Sequence, residues 1–515
     1  MKNYTKFLIP TPIFVIFSIL FFKIASNEIP FWYKGLSDPS YLYLESTLHI
    51  ALGEFPTHVD NPGAPIQDIG ALTFRIVHFL DGKGSFVEDV LTRSEYYLKV
   101  LRYVLVSISC ISIWLAGFFA FQISKNHYTT ILIQLSPVLS DSVLGSIHRF
   151  QTISPEIFFI PLGLLWLIFF LSFIEIEEES KNSLKTAIWF SVIVGLMVAT
   201  KLTLLPYSLI PLFLIKKLKN KALYVFFSVI FFLLFAFFQF FSSEKLFLWI
   251  RDLFFASGAY GTGKRTFIDF ENFFENITLI ISNEPLLITV LVVNTLIFAI
   301  SKIRKFAELR LLLVLRSLFF TEVIYVIMNA KHYVHTYYMY GVVFIICANI
   351  ILWIHLIKNS YSKVLFSAII TGAMFLFLPY HLVHIFQTDL QSQKDEIARV
   401  KNFYEKYPNR VVVTEYDAIS QPYAFSFGIA SFAPELRNPF GYFLKKKYPN
   451  DFYFCNGSYT YWGEKISIDS VLNNHKDFLY HFGNDNPPKY FNMFQVADSL
   501  YTMSGNKIYF YVKKK

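Results

Sequence analysis

Apolar blocks of about 20 residues, the length that crosses roughly 30 Å of hydrocarbon as a helix, recur through most of this chain. Inside lipid the backbone polar groups have only one another as partners, so such blocks must be helices. About eleven spans can be read, near residues 7–25, 100–122, 128–146, 153–174, 185–200, 202–216, 221–242, 284–302, 310–329, 336–357 and 363–386. Charge agrees: Asp, Glu, Lys and Arg make up 16% of the 515 residues, whereas a soluble chain carries about 25%. The expected fold is an α-helical polytopic membrane protein.

Short cytoplasmic loops collect Lys and Arg, and this sets the orientation. Lys2 and Lys6, Lys125, Lys181 and Lys185, the run Lys216 to Lys221, the group Lys302 to Arg310, and Lys358 with Lys363 all fall on one side. The short loops opposite hold little more than Arg149, Lys201 and Lys331. The N-terminus is therefore expected in the cytoplasm, with residues 1–25 kept as the first span, and an odd number of spans sends the C-terminus outward. This topology accounts for the net charge of +9 without nucleic acid as a partner. Of the three cysteines, Cys110 and Cys347 lie inside spans, which argues against a disulfide framework, and no metal spacing appears.

Two parts follow from these spans. Residues 1–386 read as a transmembrane domain, with external loops over 26–98 and 243–283, and residues 387–515 as a small α/β domain on the same external side. In the first loop, Asp38-Pro39 opens a helix with Asp38 as its cap and Pro39 in its first turn. Tyr41, Glu45 and His49 recur every four residues and so share a face. The turn-rich run from Asp60 to Pro65 reverses the chain before a second amphipathic helix, Ile66 to Leu80. In the tail, Lys394 to Tyr407 reads as a helix and Arg410 to Thr414 as a buried strand. Ser499 to Met503 and Lys507 to Val512 read as a hairpin around Ser504-Gly505-Asn506.

Asp38 as a helix cap needs no chemistry to explain it, but a rigidly capped carboxylate at a membrane surface also suits a general base. Glu45 and Asp60 are second acids of the same loop, with a solvated helix face and a turn as their plainer roles. Paired carboxylates would admit a divalent cation, though nothing in the pattern demands one. Arg149 and Lys201 read as snorkelling span-end cations or as the charges that hold a lipid phosphate. Glu156 follows Arg149 in the same external stretch. Glu322 lies inside an apolar block, where a charge costs about 2.5–3.5 kcal/mol, so it is expected to face a polar cavity or a partner. His332 and His335 border the external face. The run Gly258 to Arg265 has nearly the spacing of a phosphate-binding loop, but Arg265 occupies the hydroxyl position and no strand precedes it. It leaves a glycine-rich backbone beside Lys264 and Arg265.

The acid just after span one, the two juxtamembrane helices, the many spans and the external tail together resemble the GT-C superfamily of polytopic glycosyltransferases. Ser37-Asp38-Pro39-Ser40-Tyr41, Val59 to Pro65, Ala199-Thr200-Lys201 and His332-Tyr333 are similar to bacterial proteins related to family 39 protein mannosyltransferases and aminoarabinose transferases. In such enzymes the first-loop acid is often followed by another acid, and here Pro39 follows, which leaves the second acid open between Glu45 and Asp60. The resemblance implies inverting transfer of a sugar from a polyprenyl-phosphate donor to an external acceptor. Asp38 would be the base, and Arg149, Lys201, Lys264 and Arg265 would hold the departing phosphate, with Glu156, Glu322, His332 and His335 lining the cavity. It also implies a bacterial cytoplasmic membrane, with membrane lipids and the lipid donor as partners. The alternatives are a transporter or flippase of lipid-linked sugar, for which paired repeats would be expected, and a non-catalytic envelope-assembly subunit.

Overall fold

In the computed structural model, the residues described are 5–33, 36–56, 58–59, 63–139, 151–175, 184–241, 243–258, 261, 263–303, 309–332, 336–386, 390–415, 419–430, 440–455, 458–462, 464–473, 475–482, 493–502 and 505–514. Asp60, Arg149 and His335 lie outside them.

The chain opens with α1 (Thr5–Leu8) and α2 (Thr11–Ala25). Its first loop then forms α3 (Ser37–Ala51), α4 (Ala64–Asp81) and the short α5 (Phe86–Thr92). Next come α6 (Ser94–Ser124), α7 (His127–Leu135), α8 (Pro155–Glu175) and α9 (Leu184–Thr200). A 3-10 turn over Leu202–Ser208 leads into α10 (Leu209–Leu214), followed by α11 (Leu218–Phe235) and α12 (Phe237–Phe241). The expected second loop is two helices, α13 (Ser243–Phe255) and α14 (Phe270–Asn283). The bundle closes with α15 (Pro285–Ile303), α16 (Leu309–His332), α17 (Val342–Leu356) and α18 (Ser360–Phe386).

The apolar blocks are helical but unequal. Among the described residues four helices, α6, α8, α11 and α16, are each long and apolar enough to cross a membrane. The α14–α15 pair, bent by 96°, qualifies only if its two halves count as one span. Five further apolar helices, Leu202–Leu214 among them, are shorter. Breaks explain the unevenness: Pro206 stands in the 3-10 turn before α10, and Pro137 follows α7, each removing a backbone donor. Packing centres on α8, which is buried between α6 and α17. At Gly163 of α8 a Cβ would come within 2.2 Å of the Phe344 ring, so the α8–α17 approach depends on the glycine.

Beyond α18 come α19 (Leu390–Lys406), β1 (Val411–Thr414), α20 (Gln421–Ala430), α21 (Gly441–Lys447), β2 (Asp451–Cys455), β3 (Ser458–Tyr461), β4 (Glu464–Ile466), α22 (Ile468–Asn473), β5 (Asp477–Phe482), β6 (Phe494–Tyr501) and β7 (Lys507–Lys513). The seven strands form one sheet in the order β4-β3-β2-β1-β5-β7-β6, with β1 parallel to both of its neighbours and the other pairs antiparallel. Every β1 residue is buried, as a central parallel strand requires. Its side chains alternate with the two-residue period of a strand. Val412 packs with Val400 and Phe403 of α19, while Val411 and Val413 pack with Ile468 and Leu472 of α22.

His481 of β5 is fully buried. Its Nδ1 stands 2.6 Å from the Tyr404 hydroxyl and its Nε2 stands 2.8 Å from the Asn506 side-chain oxygen. A neutral ring protonated on Nε2 satisfies both contacts, and burial pushes the pKa down to about 4. The unfolded ring titrates near 6.5. This contribution is therefore intact above 6.5 and is lost as pH falls from there towards 4, by about 3 kcal/mol in all. Measured from pH 7 to 4, the unfolding midpoint of the native protein is expected to drop relative to that of His481→Gln. Parallel curves would refute the assignment.

Candidate active site

The face shared by Tyr41, Glu45 and His49 is covered by protein. The Tyr41 ring meets Phe425 of α20 edge-on at 4.9 Å, and His49 lies 4.6 Å from the Phe440 ring. Glu45 sits under Gly428, where a Cβ would come within 2.8 Å of Glu45 Oε1 and 3.1 Å of the Tyr41 carbonyl. Glu45 is 2% exposed, and its Oε1 has no hydrogen-bond partner among the described residues. Burial pushes its pKa well above the usual carboxylate range. Further ties join the tail to the first loop: Tyr33 hydroxyl to Glu396 at 2.6 Å, Lys394 to Glu28 at 2.6 Å, and Lys447 Nζ to the Leu91 carbonyl at 2.9 Å. The C-terminal sheet and the first loop therefore lie on one side of the helical bundle.

Asp38 is exposed. Its backbone is extended (φ −97°, ψ 113°), so the regular part of α3 starts after it, at Pro39. Residues before proline favour this conformation, and it is also that of a helix cap. Two residues on, Ser40 Oγ accepts from the Ile153 N–H at 3.1 Å. Ile153 leads into the first turn of α8, where Glu156 forms an ion pair with Lys201. Lys201 is 1% exposed and Glu156 is 7% exposed. Lys201 occupies the extended break between α9 and the 3-10 turn (φ −161°, ψ 132°). The preceding Thr200 carbonyl accepts from the Gly63 N–H at 3.1 Å. Gly63 has a left-handed φ of 51°, and a Cβ there would overlap the Tyr43 hydroxyl, so both shape and space call for glycine. The segment carrying Asp38, the start of α8, the Lys201 break and the start of α4 thus form one ring of contacts.

An apolar cavity of about 380 Å³ begins one residue beyond Lys201. Its wall includes Leu202, Thr203, Trp249 and Leu253 of α13, Phe267, Ile327 of α16, and Tyr338. The Tyr338 ring also lies 5.2 Å from Lys201 Nζ, so it belongs to both the cavity and the ion pair. Lys264 and Arg265 are exposed just before Phe267, and Lys264 stands 3.3 Å from Asp269. His332 lines the cavity. It also latches the wall, with Nδ1 2.8 Å from the Gly258 carbonyl and Nε2 2.8 Å from the Leu253 carbonyl, while Lys331 Nζ donates to Leu253 at 2.9 Å. Lys331 and His332 thus meet carbonyls at and just beyond the C-terminal end of α13. Glu322 is fully buried away from that wall, its carboxylate accepting from Asn294 Nδ2 at 3.1 Å and from Asn349 Nδ2. No group of three or more metal-ligating side chains occurs among the described residues.

Three participants escaped the sequence. Arg102 is 2% exposed and donates to the Gln151 and Asn27 carbonyls at 3.1 Å. An arginine inside an apolar block was the available signal. Glu95, which accepts from the Phe31 N–H and the Tyr41 hydroxyl, and Tyr338 carried no signal of their own, because their contacts are made across the fold.

No family model matches the chain, and no curated protein matches it. Among solved structures, the fold is similar to the crystal structure of ArnT from Cupriavidus metallidurans bound to undecaprenyl phosphate. The TM-score is 0.54 at 11% sequence identity, over 96% of this chain and 97% of that chain. The chain therefore shares the overall fold of that structure, a polytopic helical bundle with a small C-terminal sheet region.

Proposed function

From that fold we propose that the protein is a membrane glycosyltransferase that moves a sugar from a polyprenyl-phosphate donor to an acceptor hydroxyl on the non-cytoplasmic side of a bacterial cytoplasmic membrane. The observation that carries the reading is an apolar cavity of about 380 Å³ whose wall includes Tyr338, the ring of which lies 5.2 Å from the ammonium of the buried Lys201. An apolar chain ending in a phosphate has that pattern. The lipid enters the cavity between α13 and α16, and its phosphate meets the ammonium. Arg149, Lys264 and Arg265 are the further cations assigned to it.

Asp38 takes the proton from the acceptor hydroxyl as the oxygen attacks the anomeric carbon. The bond from that carbon to the phosphate oxygen breaks, and its electron pair leaves with the polyprenyl phosphate. Attack from the opposite face inverts the centre. Charge grows on the leaving phosphate, so fixed cations in a partly dry site stabilise the transition state more than the bound donor. Asp60 is the second acid of the site in this reading. Glu45 serves the contact between the first loop and α20.

The test uses the full-length protein in detergent, with polyprenyl-phosphate sugars and envelope lipid or glycan extracts as acceptors. Donor-dependent product and release of polyprenyl phosphate are expected. Detergent abolishes compartments, so a flippase registers nothing in this assay. Failure with every donor, together with donor movement in vesicles, would replace the transferase reading by transport.

A further inference from the structure

Glu95, the second residue of α6, receives hydrogen bonds from both sides of Asp38. Its Oε2 accepts from the Phe31 N–H at 2.8 Å, seven residues before Asp38. Its Oε1 accepts from the Tyr41 hydroxyl at 2.8 Å, three residues after it. One carboxylate thereby closes an eleven-residue span of chain, Phe31 to Tyr41, with the candidate base inside it. Arg102, one face further along α6, supports the upstream end: its guanidinium lies 4.7 Å over the Phe31 ring and donates to the Asn27 carbonyl at 3.1 Å. At the downstream end the Tyr41 hydroxyl accepts from Gln421 Nε2 at 3.2 Å, and Gln421 also donates to Ser94 Oγ at 3.0 Å. The Tyr448 hydroxyl in turn donates to Gln421 Oε1 at 2.7 Å.

We propose that Glu95 is a positioning residue for the transfer reaction, fixing where the Asp38 carboxylate stands relative to the acceptor, with Gln421 of the C-terminal region bracing the clamp. The proposal rests on Asp38 being the base. Burial raises the Glu95 pKa, while the Phe31 N–H and the Tyr41 hydroxyl favour its ionised form, and the two oxygens accept both hydrogen bonds at once. Alanine accepts neither and releases both ends, whereas glutamine keeps one acceptor and the length of the side chain. A shift of about 1 Å at a reacting group costs about 100-fold in rate.

The test compares Glu95→Ala, Glu95→Gln, Tyr41→Phe and Asp38→Asn in the full-length protein, reading kcat, donor KM and unfolding midpoint. In Glu95→Ala, kcat should fall by about 100-fold with donor KM within about twofold of the native value. Glu95→Gln should recover most of that loss. Tyr41→Phe keeps its ring against Phe425 and removes one bond only, and about a tenfold loss in kcat is expected. It serves as the reporter should the alanine variant fail to fold. Near-native kcat in both Glu95→Ala and Tyr41→Phe, with Asp38→Asn inactive, overturns the clamp and leaves the base in place. So does a fall in kcat matched by a rise in donor KM that Glu95→Gln does not relieve, since that marks a merely structural carboxylate. Near-native activity in Asp38→Asn instead removes the base, and the clamp with it.

Discussion

Asp38→Asn should reduce sugar transfer by about 10²- to 10⁴-fold, the range over which a general base contributes, while leaving protein level, unfolding midpoint and donor binding close to native. The substitution keeps the size of the side chain and its ability to accept hydrogen bonds, so a purely capping Asp38 would tolerate it. It removes only the capacity to hold a proton at neutral pH. Exposure of Asp38 and its tether through Ser40 to the start of α8 leave it open to an incoming hydroxyl. Glu45, covered and with its pKa raised by burial, has neither property. Measuring kcat and donor affinity separately decides the matter. Undiminished turnover would end the assignment, and loss of donor binding would move Asp38 from base to binding group.

The second large effect concerns Lys201 and Glu156. Lys201→Met should cost about 3–5 kcal/mol of stability, because it leaves the Glu156 carboxylate buried and uncompensated. It should also abolish transfer if the ammonium beside Tyr338 holds the donor phosphate. Replacing both partners by apolar residues, Lys201→Met with Glu156→Leu, should return most of the stability, since a well-packed apolar pair in place of a buried ion pair is often neutral or better. Transfer should stay absent. That dissociation separates structure from chemistry: a double variant that is stable and active would show that Lys201 serves the fold alone. Reversion of stability without activity supports a phosphate-holding ammonium.

Features set by local physics could be read in the sequence. The apolar blocks, the extended start at Asp38-Pro39, the strand at Val411–Thr414 and the β6–β7 hairpin follow from length, proline sterics, burial and turn residues. The spacing of Tyr41, Glu45 and His49 also announced a shared face, but spacing cannot say what covers it, and the cover is an α20 nearly 400 residues away. The Lys201–Glu156 pair joins two spans 45 residues apart, and nothing in either span identifies the other as its partner. Glu322 read as a cavity residue because a lone carboxylate in an apolar block needs a partner. Its partners are the amides of Asn294 and Asn349, each inconspicuous in its own span. The 243–283 region read as loop because its glycines drew attention away from the amphipathic α14.

The Tyr41–Gln421 contact joins residues 380 positions apart. At roughly 5–20 residues per second of synthesis, the ribosome needs about 20–75 s to supply the second after the first has emerged. Through that interval the buried face of α3 stands open. A growing chain therefore carries Asp38 and the whole first loop long before it carries the helix that covers that face.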